Sequence, residues 1–208
     1  MTGTIKLLNF SSIVVMTCGY IMVLFGVLHV FLLTLPGVLY DLALWVIAVL
    51  ELSLHFGMAA GIVLPGALAI CILRRGIALE GIRQPKLQHH LTLMMWAAPV
   101  MSIGLVIYGW TVQYRVHVVA PAIGVFIVGL GSFPALIISQ SYLIGLYGSE
   151  SAASALGASV FLRSLCTACL PSICSSMYAR LNYGWGNTVL GLMVLLCTSV
   201  PWTISRFG

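Results

Sequence analysis

Apolar positions in this chain run together and do not alternate with polar ones. Hydrophobic stretches cover residues 11–35, 42–73, 91–110, 116–138, 151–178 and 186–204, with breaks such as Pro36-Gly37 and Arg74-Arg75 between them. Each is long enough for the about 20 residues that carry a helix across hydrocarbon. A membrane barrel would instead show segments of about 10 residues with alternating polarity. Lipid leaves only helices or closed barrels able to satisfy the backbone. The pattern therefore predicts an all-α integral membrane protein, a single six-transmembrane-helix bundle over residues 1–208. Most breaks are short, so neighbouring helices should run antiparallel. The stretch from Arg74 to His90 is read as the one long loop.

Composition narrows the function. Of 208 residues, 61% are hydrophobic and 6% charged, with a mean hydropathy of +1.13, whereas a soluble domain carries about 25% charge. Four acids and nine bases cannot solvate a globule of this size. A soluble enzyme, a disordered chain and a nucleic-acid-binding module are excluded, and the lipid bilayer is the first partner. The first apolar run ends in no small-residue cleavage pattern, so it is a true span and not a signal peptide. Lys6, Arg74, Arg75, Arg83, Lys86 and Arg206 fall on one side of the membrane, against Arg115 and Arg180 on the other. By the positive-inside rule both termini are cytoplasmic.

Packing chemistry is also legible. Gly57 and Gly61 lie one helical turn apart, as small residues do where membrane helices approach closely. Ala155 with Ser159, and Ala158 with Leu162, form a second such face. Pro65, Pro99, Pro121, Pro134, Pro171 and Pro201 lie within or at the edges of spans, where proline bends a helix. Cys166 and Cys169, with Cys174 beyond, have the look of a metal or redox set. On a membrane helix cysteine serves more simply as a small packing residue, and no metal or cofactor is expected. No nucleophile-base pair or phosphate loop occurs, so the chain is not read as an enzyme.

Four stretches carry a family resemblance. Residues 5–36, with Tyr20 and Gly26, come first. The second comprises Ile103-Gly-Leu-Val-Ile-Tyr-Gly-Trp110 and Gln113-Tyr-Arg-Val-His117. The third is Ser151-Ala-Ala-Ser-Ala-Leu-Gly-Ala-Ser-Val-Phe-Leu-Arg-Ser164, and the fourth Met177-Tyr-Ala-Arg-Leu-Asn-Tyr-Gly-Trp-Gly-Asn187. In this order they resemble the C-terminal half of a major facilitator superfamily transporter of the fungal drug:proton antiporter type. The resemblance implies spans seven to twelve of that fold. It implies a half-length form, with no six-helix N-terminal half before residue 1. The chain departs from the family at Tyr142-Leu143-Ile144-Gly145-Leu146-Tyr147, where the family carries a carboxylate at the position of Gly145. It departs again at Glu51 and His55, where the family prefers small residues.

Intramembrane polar residues are the candidate site. A charge at the centre of a span costs about 2.5–3.5 kcal/mol on insertion scales, so it is paired or faces water. Arg163 lies 12 residues past Ser151, about 18 Å along the helix and near the midplane. It is either an anchor for an anionic group in the transport path or a structural arginine bonded to backbone carbonyls. Glu51 and His55, four apart, share a helix face and can hold a proton jointly, as a proton-coupled carrier requires. Alternatively they satisfy each other without function. Gln140, Tyr142 and Gln113 can hydrogen-bond a substrate or a neighbouring helix.

The resemblance implies proton-coupled efflux of small molecules, such as secondary metabolites or drugs, by a multi-pass protein of the cell membrane. A single half supplies one wall of a midplane site, so a homodimer or a separate N-terminal half would complete it. The alternative, from another class, is a non-transporting truncated remnant or accessory membrane subunit. The replaced carboxylate at Gly145 favours it.

Overall fold

The computed structural model describes the backbone over residues 12–38, 44–80 and 88–202, and side chains over 15–35, 45–64, 94–145 and 152–202. Every described element is helical: α1 (Ser12–Val38), α2 (Leu44–Glu80), α3 (Gln88–Gln113) and α4 (Val119–Cys197). Five stretches within them are long and apolar enough to cross a membrane: Val15–Leu35, Trp45–Leu64, Met94–Gln113, Val119–Gly145 and Ala152–Trp202. The described residues are thus all-helical, with five stretches suited to a multi-pass membrane protein.

One expectation is corrected. α2 does not stop at Arg74-Arg75 but continues to Glu80, so the polar stretch that follows is helical in its first part. Charge ends a span and not a helix, because a helix satisfies its own backbone bonds in water as well as in lipid. The side chains of Arg74 and Arg75, and Lys6, Arg83, Lys86 and Arg206 altogether, lie outside the described residues.

α4 has 79 residues, about 120 Å if straight, yet its contacts fold it back. Up to Gly145 it runs antiparallel to α3. Gly124 abuts Tyr108, Gly104 abuts Val128, and Gly131 abuts Ala97 and Met101. Past Ala152 it runs parallel to α1, with Arg163 against Phe25 and Gly26 against Cys166 and Leu170. α1 is itself parallel to α3, because Tyr20 donates to the Met94 carbonyl at 2.9 Å and Phe31 packs edge-on to Tyr108. The chain direction therefore differs on the two sides of residues 145–152. It changes again at Asn182, whose φ of 60° is left-handed, a conformation asparagine tolerates better than most residues. There the Tyr178 hydroxyl donates to Asn187 Oδ1 at 3.2 Å, nine residues on, where a straight helix would hold them about 13 Å apart.

Glycine decides which helices meet. A Cβ on Gly57 would strike the Phe126 carbonyl, one on Gly61 would lie 2.6 Å from the Leu130 carbonyl, and one on Gly129 would strike that of Leu54. The second and fourth apolar segments therefore run backbone to backbone, and Ser53 donates across the seam to the Ala122 carbonyl at 2.7 Å. Lipid gives no hydrophobic drive between helices, so this close van der Waals approach supplies the association. Gly57 and Gly61 stand where small-residue spacing placed them. Of the other small face, Ala155, Ala158 and Ser159 are buried and Leu162 is half-buried.

Candidate functional site

Arg163 is half-buried on α4, with its guanidinium carbon 4.3 Å from the Phe25 ring centroid on α1. That cation–π contact partly offsets desolvation of the charge. No hydrogen bond or ion pair to the guanidinium is present among the described residues, so backbone carbonyls do not hold it there. Five N–H donors in a fixed fork are left for water or a ligand.

Glu51 and His55 are both exposed on α2. His55 Nδ1 lies 2.7 Å from the backbone carbonyl of Glu51, not from its carboxylate. A carbonyl only accepts, so Nδ1 carries the proton and donates it. The joint carboxylate-imidazole pair is therefore not formed in this arrangement. Gln140 is half-buried, without a side-chain hydrogen bond among the described residues. Tyr142 is buried in the core beside Leu143. The structure does not gather these residues: Arg163 belongs to the α1 seam, Glu51 and His55 to the far side of α2, and Tyr142 to the interior. Gln113 is a tertiary fastener, its Oε1 accepting the Gly184 N–H at 2.8 Å. That bond brings Arg115 and Arg180, expected on one side of the membrane, to the same end of the bundle.

Cys174 is buried, Cys166 half-buried and Cys169 exposed. Cys166 packs against Gly26, its Sγ 2.8 Å from where a Cβ would stand.

Sequence reasoning missed a polar cluster at the Asn182 turn. The Tyr178 and Tyr183 rings lie tilted at 38° with 5.7 Å between centroids, Asn187 Nδ2 donates to the Tyr183 carbonyl at 2.9 Å, and Thr34 and Ser175 line the same cleft. Nearby, Tyr108 is 1% exposed and its hydroxyl has no partner among the described residues. The signal was present in Met177–Asn187, which holds two tyrosines and two asparagines. In the sequence that stretch carries only the family resemblance.

No family model matches the chain, and no solved structure does. Curated proteins do. The chain is 39% identical over 207 residues to the MFS transporter eqxG of Fusarium heterosporum, covering 98% of this chain and 42% of that protein. It is 36% identical over 210 residues to the MFS-type transporter MFS19 of Alternaria alternata, covering 100% and 42%. It is 36% identical over 204 residues to the Trichosetin biosynthesis cluster MFS transporter of Gibberella fujikuroi, covering 98% and 37%. The chain spans about two-fifths of the length of these relatives. With its apolar helices and its glycine-mediated packing, it is homologous over nearly its whole length to a segment of MFS transporters, multi-pass membrane proteins of the major facilitator superfamily.

Proposed function

We propose that this chain is the C-terminal six-helix half of a fungal major facilitator exporter, and that it moves small amphipathic molecules outward against proton influx. The observation that carries this reading is identity of 36–40% to several proteins named MFS transporters over 98% or more of the chain. The Gibberella fujikuroi relative is named for a biosynthesis cluster, which supports a secondary metabolite as the cargo class. In this reading the segment Ala152–Trp202 crosses twice, with Asn182 at the turn, giving six crossings. Both termini are cytoplasmic, the Arg115 and Asn182 end is outer, and the membrane is the cell membrane.

The roles follow from chemistry. Arg163, near the midplane and without a hydrogen-bond partner among the described residues, orients an electronegative group of the cargo. Glu51 and His55, facing outward from α2, meet a second six-helix unit or the water between the two. A second copy or a separate N-terminal half supplies the opposite wall, so that the two rock about the site. Gln140 and Tyr142 shape the inner end of the path.

A second reading, a non-transporting remnant or accessory subunit, is favoured by one observation: the Glu51 and His55 side chains are not joined in a proton-holding pair. Expression in yeast lacking its own drug exporters separates the two. Efflux of a preloaded fluorescent dye, nile red, that rises several-fold over empty-vector cells and collapses with a protonophore supports the exporter. Efflux at the empty-vector rate across a panel of amphipathic dyes supports the remnant.

A further inference from the structure

The cleft at the Asn182 turn has about 530 Å³ of space, within the range of about 300–1,000 Å³ typical of small-molecule sites. Its polar groups are specific in what they leave open. The Thr34 hydroxyl donates back to its own helix, at 2.9 Å to the Val30 carbonyl. Ser175 does the same to Ser172 at 3.0 Å, and Tyr178 gives its proton to Asn187. Each of these oxygens keeps lone pairs with which to accept, and the Thr34 and Tyr178 hydroxyls are also in hydrogen-bond contact with each other. The Tyr183 hydroxyl has no partner among the described residues, so its proton remains to be given. Leu33 and the two tyrosine rings supply an apolar wall, and the lining contains no charged residue.

A second observation lies beside the first. The Tyr108 hydroxyl is buried without a partner among the described residues. Tyr108 precedes Gly109, where a Cβ would stand 2.6 Å from that of Asn187 and 3.0 Å from the Tyr183 carbonyl. A buried hydroxyl left unbonded costs about 1–3 kcal/mol, so an unmet hydrogen bond adjoins the cleft's tyrosines. A groove of about 380 Å³ between Trp45, Val49 and Phe126 is different. It is almost wholly apolar, and its serine, Ser53, already donates to Ala122.

We infer that the cleft formed by Thr34, Ser175, Tyr178 and Tyr183 is a binding site for an uncharged aromatic small molecule that carries both a hydroxyl donor and a hydroxyl or carbonyl acceptor. The ligand hydroxyl donates to the lone pairs of Tyr178 or Thr34, its acceptor takes the Tyr183 proton, and its ring lies on Leu33 and the tyrosines. As a resting place for cargo leaving at the outer face the site rests on the transport reading. As a binding site it does not.

The test is photolabelling of the full chain in lipid nanodiscs with 4-hydroxybenzophenone, followed by peptide mapping. The site predicts adducts concentrated on residues 33–34 and 175–183. It predicts a loss of about threefold or more there in Tyr183→Phe and in Thr34→Val. Excess 4-tert-butylphenol should suppress them and tert-butylbenzene should not. Adducts spread evenly over exposed apolar positions such as Phe161 and Leu196, or competition by both compounds alike, overturn the site. Labelling needs no flux, so a labelled cleft in a protein that moves no cargo counts against the transport reading alone. Flux with no preferential label counts against the cleft alone.

Discussion

Two regions with the same kind of sequence stand in opposite relations to the bundle. In Val119–Gly145, 56% of the most apolar window is buried, against 17% in Ala152–Trp202. Val119–Gly145 is also the more apolar of the two, and its glycines add to the difference. Gly124, Gly129 and Gly131 face the backbones of α2 and α3 at contact distance, and no side chain fits between them. Gly157, in the exposed region, has nothing within 4 Å of where a Cβ would be. An apolar run says that a segment enters lipid, and the glycines say which of its faces meets protein. The exposed region is also where Arg163 and the Asn182 cleft lie. The tightly seamed pair is the more buried part of the bundle, and the residues proposed for function lie in the looser segment.

The comparison breaks most directly at the seam. Gly129→Val places two methyl groups against the Leu54 carbonyl, and overpacking of this kind costs about 1–3 kcal/mol or more. The expected outcome is loss of most of the monodisperse protein in detergent, or a fall of roughly 10 °C in the melting temperature, read by size-exclusion chromatography and fluorescence. A variant as stable as wild type would mean that the backbones do not touch.

The next effect in size is functional. Arg163→Ala should lower dye efflux about tenfold or more while leaving the elution profile unchanged, since a single cation–π contact contributes only about 0.5–2 kcal/mol. Equal losses of efflux and folded yield would make Arg163 structural. Smaller again is Tyr20→Phe, which removes the bond to the Met94 carbonyl. Such interhelical bonds average about 0.6 kcal/mol in membrane proteins, so a melting shift of about 1–3 °C is expected. At the bottom of the series, Gly157→Ala should change neither melting temperature nor efflux. A destabilisation there comparable to Gly129→Val would erase the contrast between the regions.

Much of the architecture was legible in the sequence, because lipid imposes one rule on every span. Long apolar runs, Gly57 with Gly61, and the common end of Arg115 and Arg180 all followed from patterning. What was not legible needed the third dimension. Gly104, Gly124, Gly129 and Gly131 look like any glycines in an apolar run until a partner backbone is placed beside each. The extension of α2 past Arg74-Arg75 was missed because basic residues mark the membrane boundary and say nothing of where hydrogen bonding stops. Arg163 was found from the cost of a charge in hydrocarbon, but its partner, Phe25, bears no polar signature. Glu51 and His55 had the right spacing for a pair, yet a histidine four residues on can equally bond the backbone carbonyl, as His55 does. The Tyr178, Tyr183 and Asn187 cluster escaped because its members meet only when the chain reverses at Asn182.

The central claim, that the helical frame holds Arg163 in a proton-coupled path, is most directly tested in sealed vesicles containing the purified chain. A pH gradient is imposed and the movement of a fluorescent amphipathic dye is followed. The account predicts gradient-dependent flux that stops with a protonophore and falls at least about tenfold in Arg163→Ala. Flux no greater than in protein-free vesicles, or flux indifferent both to the gradient and to Arg163, would contradict it.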